Sequence, residues 1–201
     1  MPPNVVALEF ALQRLHSALQ NGRSNRYCLD LWSRFVRLRD GNQCVACHAE
    51  DKLSAHHIVR KSFLKEAHLQ TGNGITLCSA CHKAPHEAFN RRPDLTLPMD
   101  AEGGEKIEIL TVYFWLLLSD AKSRCLLRDD FYYLSDQVLQ KFKLFQDFPP
   151  ATPFSGNRLE QAFLIWRQTP RNMLDAVLRA NEFILPREFI QSGELIVFYT
   201  Q

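Results

Sequence analysis

The chain has no apolar run long enough to cross a bilayer. Its longest, Ile109 to Leu118, covers ten residues, against the roughly twenty that a membrane-spanning helix requires. Met1 to Gln20 also lacks the basic leader and long apolar core of a secretory signal. No internal repeat and no low-complexity tract is visible, which excludes solenoid and fibrous architectures. The net charge of +2, from 24 basic and 22 acidic residues, is too small to announce a nucleic-acid partner by itself. Against these absences stands a hydrophobic content of 46% over 201 residues, enough for a packed core in one or two domains.

Charge is unevenly spread. Residues 1–95 hold 13 Lys and Arg against 8 Asp and Glu, whereas residues 96–201 hold 11 against 14, so the first half carries the surplus expected for contact with a polyanion. That half also holds the chemistry. Cys44-Val45-Ala46-Cys47 and Cys78-Ser79-Ala80-Cys81 are two C-x-x-C knuckles, and four thiolates supply the closed tetrahedral shell that structural zinc prefers. His56, His57 and Asn73 lie between the knuckles.

The cysteines close one site, which leaves the histidines for a second, open one. His82 and His86 are four residues apart, on one face of any helix that contains them. His56 can reach the same ion from a strand packed on that helix, and neutral imidazoles leave coordination positions for water and a phosphate oxygen. His57 would point to the opposite side of an extended strand. Pro85 is compatible with a helix beginning near Lys83, where it falls in the tolerated first turn, and would kink one that begins earlier.

The segment from Ala55 to Val59, AHHIV, with Asn73 five residues before Cys78 and CHKAPH from Cys81 to His86, resembles the HNH endonuclease family, the ββα-metal nucleases, in its cysteine-containing form. The match covers residues 27 to 92. The resemblance implies an α+β fold in which a small zinc-stapled, treble-clef-like ββα-metal module is flanked by an N-terminal helix and a mainly helical C-terminal region. It also implies roles. His57 resembles the general base, and His56, His82 and His86 resemble the ligands of a catalytic ion, with His56 where many members have aspartate. Asn73 resembles the central asparagine that orients the base, and His82 counts with His57 and Asn73 among the catalytic positions. The implied cofactors are structural Zn2+ on Cys44, Cys47, Cys78 and Cys81 and Mg2+ or another divalent ion at the histidines. The implied reaction is phosphodiester hydrolysis in DNA, with restriction and anti-phage defence as settings in which such modules occur beside short helical segments. A non-catalytic zinc-stabilised adaptor for nucleic acid or protein is the alternative, although it has no reason to keep His57, Asn73 and His82 together.

Other residues have plainer readings. Arg60 and Lys61 follow the HHIV strand and are candidates for holding the phosphate backbone, or a solvated pair at a strand end. Arg34, Arg37 and Arg39 precede the first knuckle on a segment with helical apolar spacing through Leu31, Trp32, Phe35 and Leu38, and read as a basic outer face. His16, His48 and His68 read as surface or loop residues, and Cys28 and Cys125 as small buried apolar groups. Paired knuckles better explained by zinc than by disulfides point to the cytoplasm.

Organisation follows from periodicity and breakers. Residues 1–25 form an N-terminal helix through Val6, Leu8, Leu12, Leu15 and Leu19, ended by Asn21-Gly22. Residues 26–95 form the nuclease module, and Arg92-Pro93, Leu97-Pro98 and Gly103-Gly104 mark a linker. Residues 105–201 then carry a buried helix from about Lys106 to Ser123, apolar patterns at Asp129 to Phe145, Arg158 to Trp166 and Arg171 to Phe183, and a short strand in Glu194 to Thr200. This region holds no recognisable motif. Its phenylalanines read as a core, and its acidic balance makes it the candidate surface for a protein partner.

Overall fold

The structure is a computed structural model and describes residues 4–87, 107–167, 188–192 and 195–199, with side chains described outside 84–87, 107–108 and the last two strands. The expected linker motifs and the pattern from Arg171 to Phe183 lie outside the described residues. The architecture is α+β: α1 (Val5–Gln20), α2 (Asn25–Arg39), β1 (Leu53–His57), β2 (Gly74–Cys78), α3 (Ser79–Glu87), α4 (Ile107–Ser123), α5 (Asp136–Phe145), α6 (Arg158–Trp166), β3 (Glu188–Ser192) and β4 (Leu195–Tyr199). The strands make two antiparallel pairs, β1 with β2 and β3 with β4. Among the described residues no helix is long and apolar enough to cross a membrane.

The two N-terminal helices form for legible reasons. Asn4 caps α1 by accepting the Ala7 N–H at 3.1 Å, and Ser24 caps α2 by accepting that of Tyr27, each satisfying one of the orphan donors of a helix start. Leu8, Leu12, Leu15 and Ala18 give α1 a single buried stripe. The Asn21-Gly22 stop holds, with Gly22 in the left-handed region at φ 60°. In α2 the buried set is Cys28, Leu31, Trp32, Phe35, Val36 and Arg39.

That set corrects the expectation for Arg39. Arg34 is exposed as a basic outer face requires, but Arg39 is fully buried. Its Nε donates to Asp40 Oδ1 at 2.8 Å, its Nη1 to the carbonyls of Thr71 at 2.6 Å and Phe131 at 3.3 Å, and its Nη2 to the carbonyl of Gly74 at 2.7 Å. The guanidinium lies 4.2 Å from the Tyr132 ring centroid. Asp40 Oδ2 accepts the N–H of Thr76 in β2 at 2.8 Å. One ion pair thus ties α2 to the turn before β2, to β2 itself and to the segment leading into α5. Helical spacing predicts which residues lie on one face; it cannot show that a buried cation has four acceptors waiting.

β2 is buried along its whole length, and β1 pairs with it from Leu53↔Cys78 to His57↔Gly74. Close approach to α2 requires glycine at the start of β2. A Cβ on Gly74 would stand 2.6 Å from Val36 Cγ2 and 2.7 Å from the Trp32 ring.

In the C-terminal half, α4 and α6 fall where the periodicity placed them. α5 is shorter than its apolar pattern. It begins only at Asp136, because Ser135 caps it by accepting the Val138 N–H, while Arg128 and Asp130 pair in the turn before it. Cys125 is exposed rather than buried, at φ 54°. A single apolar cluster runs through all of this, from Leu8 and Trp32 through Ile75 and Leu77 to Phe114, Phe142 and Trp166.

Asp120 of α4 is buried close to Arg39 and Asp40, and its carboxyl is pushed up to about 6, first by burial and then by repulsion from Asp40. The unfolded value is about 4. The folded protein therefore binds the extra proton between these values, and stability falls as pH rises through that window. Asp120→Asn is expected to flatten the dependence of melting temperature on pH between about 4 and 6 and to raise it at neutral pH; a variant with an unchanged profile in thermal melts would refute this.

Candidate active site

Cys44 and Cys47 sit in a tight turn between α2 and β1, held by the His48 N–H on the Cys44 carbonyl at 2.8 Å and the Cys44 N–H on the Ala49 carbonyl at 2.8 Å. The turn is docked on β2 through the Val45 N–H and the Thr76 carbonyl at 2.9 Å. Cys78 ends β2 and Cys81 lies in the first turn of α3. The four Sγ atoms lie within 4.8 Å of one another, with Cys47 and Cys78 at 3.6 Å. Zinc–sulfur bonds of about 2.3 Å in a tetrahedron separate sulfurs by about 3.8 Å, so the donor set fits such an ion. The backbone N–H of Cys81 is the largest influence on the Cys78 thiol and pulls it down to about 7, toward the thiolate that ligation needs.

The histidines divide across β1, as strand alternation requires. His56 is 7% exposed and meets His82 of α3 with ring centroids 4.7 Å apart at 75°. Tyr113 of α4 closes this face, its ring 5.7 Å from that of His56. Its hydroxyl donates to the Cys81 carbonyl at 3.4 Å. That bond has a cause in the sequence. α3 begins at Ser79, not near Lys83, so Pro85 falls well inside it and cannot supply the N–H that the carbonyl four residues earlier would otherwise receive. Tyr113 offers that carbonyl a donor. The side chain of His86 lies outside the described residues.

His57 occupies the other face. Its ring stacks on Trp32 at 4.2 Å and 7°, and on His68 at 4.8 Å and 26°. Its Nε2 lies 2.8 Å from the His68 backbone carbonyl. A carbonyl only accepts, so Nε2 carries the proton and Nδ1 keeps the lone pair. Burial, then the nearby His68, lowers the His57 imidazole to about 4, with Lys61 adding to the effect, so it is neutral at physiological pH.

Asn73 is fully buried in the turn before β2. Its Oδ1 accepts the Val59 N–H at 2.8 Å, its Nδ2 donates to the carbonyls of Val59 at 2.9 Å and Ala67 at 3.1 Å, and its own carbonyl accepts the Ile58 N–H at 2.9 Å. It therefore fastens the chain just after His57 to the chain just before His68. Lys61 is exposed and Arg60 partly so.

The structure thus brings together the four cysteines, then His56 with His82, and then His57 with Trp32, His68 and the loop held by Asn73. The second and third groups lie on opposite faces of β1. Sequence reasoning missed three neighbours. Tyr113 could have been sought from the carbonyl that Pro85 leaves without its helical donor. Trp32 reads in the sequence only as one of an apolar stripe. His68 was expected at the surface and is 8% exposed instead, because the 3₁₀ turn Lys65–Ala67 folds it back beneath the stack; no local signal gives that away.

Residues 44–88 match the family model of the HNH endonuclease. That segment also holds the four-cysteine cluster, which fits the zinc-containing type of HNH domain. No curated protein and no solved structure matches the chain.

Proposed function

We propose that the protein is a metal-dependent endonuclease that hydrolyses phosphodiester bonds in DNA, with His57 as general base. The observation that carries this reading is the state of His57: proton fixed on Nε2 by a carbonyl, lone pair on Nδ1, ring locked between two others. A base must be neutral and oriented before it can act, and this one is both. His56 and His82, whose rings meet, are the proposed ligands for a divalent ion, with His86 as the third. When bound there, such an ion stabilises charge on the scissile phosphate and the leaving oxygen.

In the proposed reaction a water oxygen forms a bond to phosphorus as the bond to the 3′ oxygen breaks. The water proton passes to His57 Nδ1, and the leaving oxygen takes a proton from solvent. The phosphate lies across the end of β1, where His56 and His57 are successive residues facing opposite ways. Lys61, whose charge is felt at His57, and Arg60 hold the backbone on either side. These contacts position the strand and carry no base information.

The test is nicking of supercoiled plasmid with magnesium, with manganese and with chelator. Cleavage is expected with an added divalent ion and not with chelator; an intact plasmid under every condition would leave the adaptor reading in its place. The four cysteines are proposed to hold one structural zinc. Cys78→Ser is expected to lose that ion and the cooperative melt together, measured by metal analysis and circular dichroism, because zinc affinity in such sites is folding energy. A metal-free variant with an unchanged melt would separate the staple from the fold.

A further inference from the structure

The groove between α1 and the start of α2 lies outside everything assigned above. It encloses about 700 Å³, within the roughly 300–1,000 Å³ usual for ligand sites. Phe10, Arg14, Ser17 and Asn21 line it from α1 and its C-cap, and Arg23 and Tyr27 line it from the turn and the first turn of α2. Residues 10, 14, 17 and 21 recur at helical spacing, on the side of α1 away from its buried stripe of Leu8, Leu12 and Leu15. Phe10 is 62% exposed and Tyr27 40%. A lone exposed ring needs no explanation, but two rings sharing one groove with two arginines do. The Arg23 guanidinium lies 5.6 Å from the Tyr27 ring centroid. Among the described residues neither Arg14 nor Arg23 forms an ion pair, and no acidic residue lines the groove. The one carboxylate on α1, Glu9, is engaged by Arg128 at 2.9 Å. The groove thus keeps an uncompensated positive charge beside two accessible aromatic rings.

We propose that this groove binds an unpaired strand of DNA, with Arg14 and Arg23 on its phosphates and Phe10 and Tyr27 stacked on its bases. The inference rests on the nuclease reading, from which it takes DNA as the polymer. Cations along a backbone beside aromatic faces are what binds single strands without sequence preference. A duplex offers the arginines its phosphates but keeps its bases stacked on one another, so the two rings gain nothing from it. A mononucleotide needs one phosphate contact and one ring, whereas the groove holds two of each. Asn21 Nδ2 donates to the Ser17 carbonyl at 2.7 Å and to Ser17 Oγ at 3.2 Å. These two side chains are therefore tied to each other and not aimed at a base edge. The groove is also coupled to the base by a rigid element. Tyr27 sits in the first turn of α2, and Trp32, which stacks on His57, follows in the same helix, about 7.5 Å along its axis.

The test is binding of a short labelled oligothymidylate to the full chain, read by fluorescence anisotropy without added divalent ion, so that binding is measured apart from cleavage. Arg14→Gln combined with Arg23→Gln is expected to weaken binding about twenty-fold near 0.1 M salt and to make the slope of log affinity against log salt shallower by about 1.4, the share of two single-strand phosphate contacts. Phe10→Ala and Tyr27→Leu are each expected to weaken binding about ten-fold at an unchanged slope. Each is also expected to relieve the quenching of a 2-aminopurine base placed in the oligonucleotide, which a merely structural role would leave alone. The arginine variant and Phe10→Ala are expected to melt with wild type; if Tyr27→Leu melts lower, Phe10→Ala carries the stacking test. Wild-type affinity in the arginine variant, or equal losses of single-strand and duplex binding in Phe10→Ala, would overturn the proposal. Competition by thymidine monophosphate as effective as by the oligonucleotide would overturn it in favour of a nucleotide site. Plasmid nicking by the same variants keeps the two readings apart. A protein that nicks but binds the oligonucleotide without regard to these four residues removes this inference alone, whereas one that binds through them and nicks nothing removes the nuclease reading and leaves the groove.

Discussion

His57→Ala is expected to cleave a hundred- to ten-thousand-fold more slowly than wild type, about the contribution of a positioned general base, while keeping its metal content and its circular dichroism. The size of the effect follows from how much of the surrounding structure is spent on one ring. Trp32 and His68 cover its two faces, the His68 carbonyl fixes its proton, and Asn73 ties the chain beyond it to the carbonyls of Val59 and Ala67. Trp32 is itself fixed, its Nε1 donating to the Gln70 carbonyl at 3.2 Å. An alanine leaves this frame standing around a gap. Some stability is lost, since truncating a buried ring leaves a void, but the cysteine cluster lies elsewhere and the β1–β2 pairing runs through backbone that the substitution keeps. A single-turnover rate within ten-fold of wild type would rule out His57 as the base.

Arg39→Met is the substitution expected to cost most in stability, about 3–5 kcal/mol, the range for removing one partner of a buried ion pair. Domains are stable by only about 5–15 kcal/mol, so the variant is expected to be largely unfolded at 37 °C. The damage has two parts. Asp40 is left as a buried carboxylate without its cation, its charge still felt at Asp120. The carbonyls of Thr71, Phe131 and Gly74 lose their donors at once, and two of these carbonyls flank Asn73. Arg39→Met with Asp40→Leu is expected to recover part of the loss, because the stranded charge goes too, but not all, because Asp40 also accepts the Thr76 N–H. Urea melts of the single and double variants measure both effects. A single variant within 1 kcal/mol of wild type would show that the pair is dispensable.

How much of this could be read beforehand depended on whether the signal was local. The knuckles Cys44-Cys47 and Cys78-Cys81 were legible because metal ligation requires fixed residue types at fixed short spacings, and the cysteines do converge. α1, α4 and α6 were legible because burial on one face imposes a period. The separation of His56 and His57 across β1 followed from strand alternation alone. Arg39 was misread because its neighbours make it look like one of three surface arginines, and what distinguishes it are carbonyls 32, 35 and 92 residues away. His68 was misread for the same reason. Its burial depends on Trp32 and His57, which periodicity cannot bring to it.

The bond from Tyr113 to the Cys81 carbonyl has a consequence for modularity. The HNH signature spans only residues 44–88, yet part of what completes it comes from α4, and Trp32 and Arg39 come from α2. The signature is thus the inscription on a keystone rather than a cassette: lifted out alone it would carry its cysteines and histidines, and leave behind the side chains that press them into place.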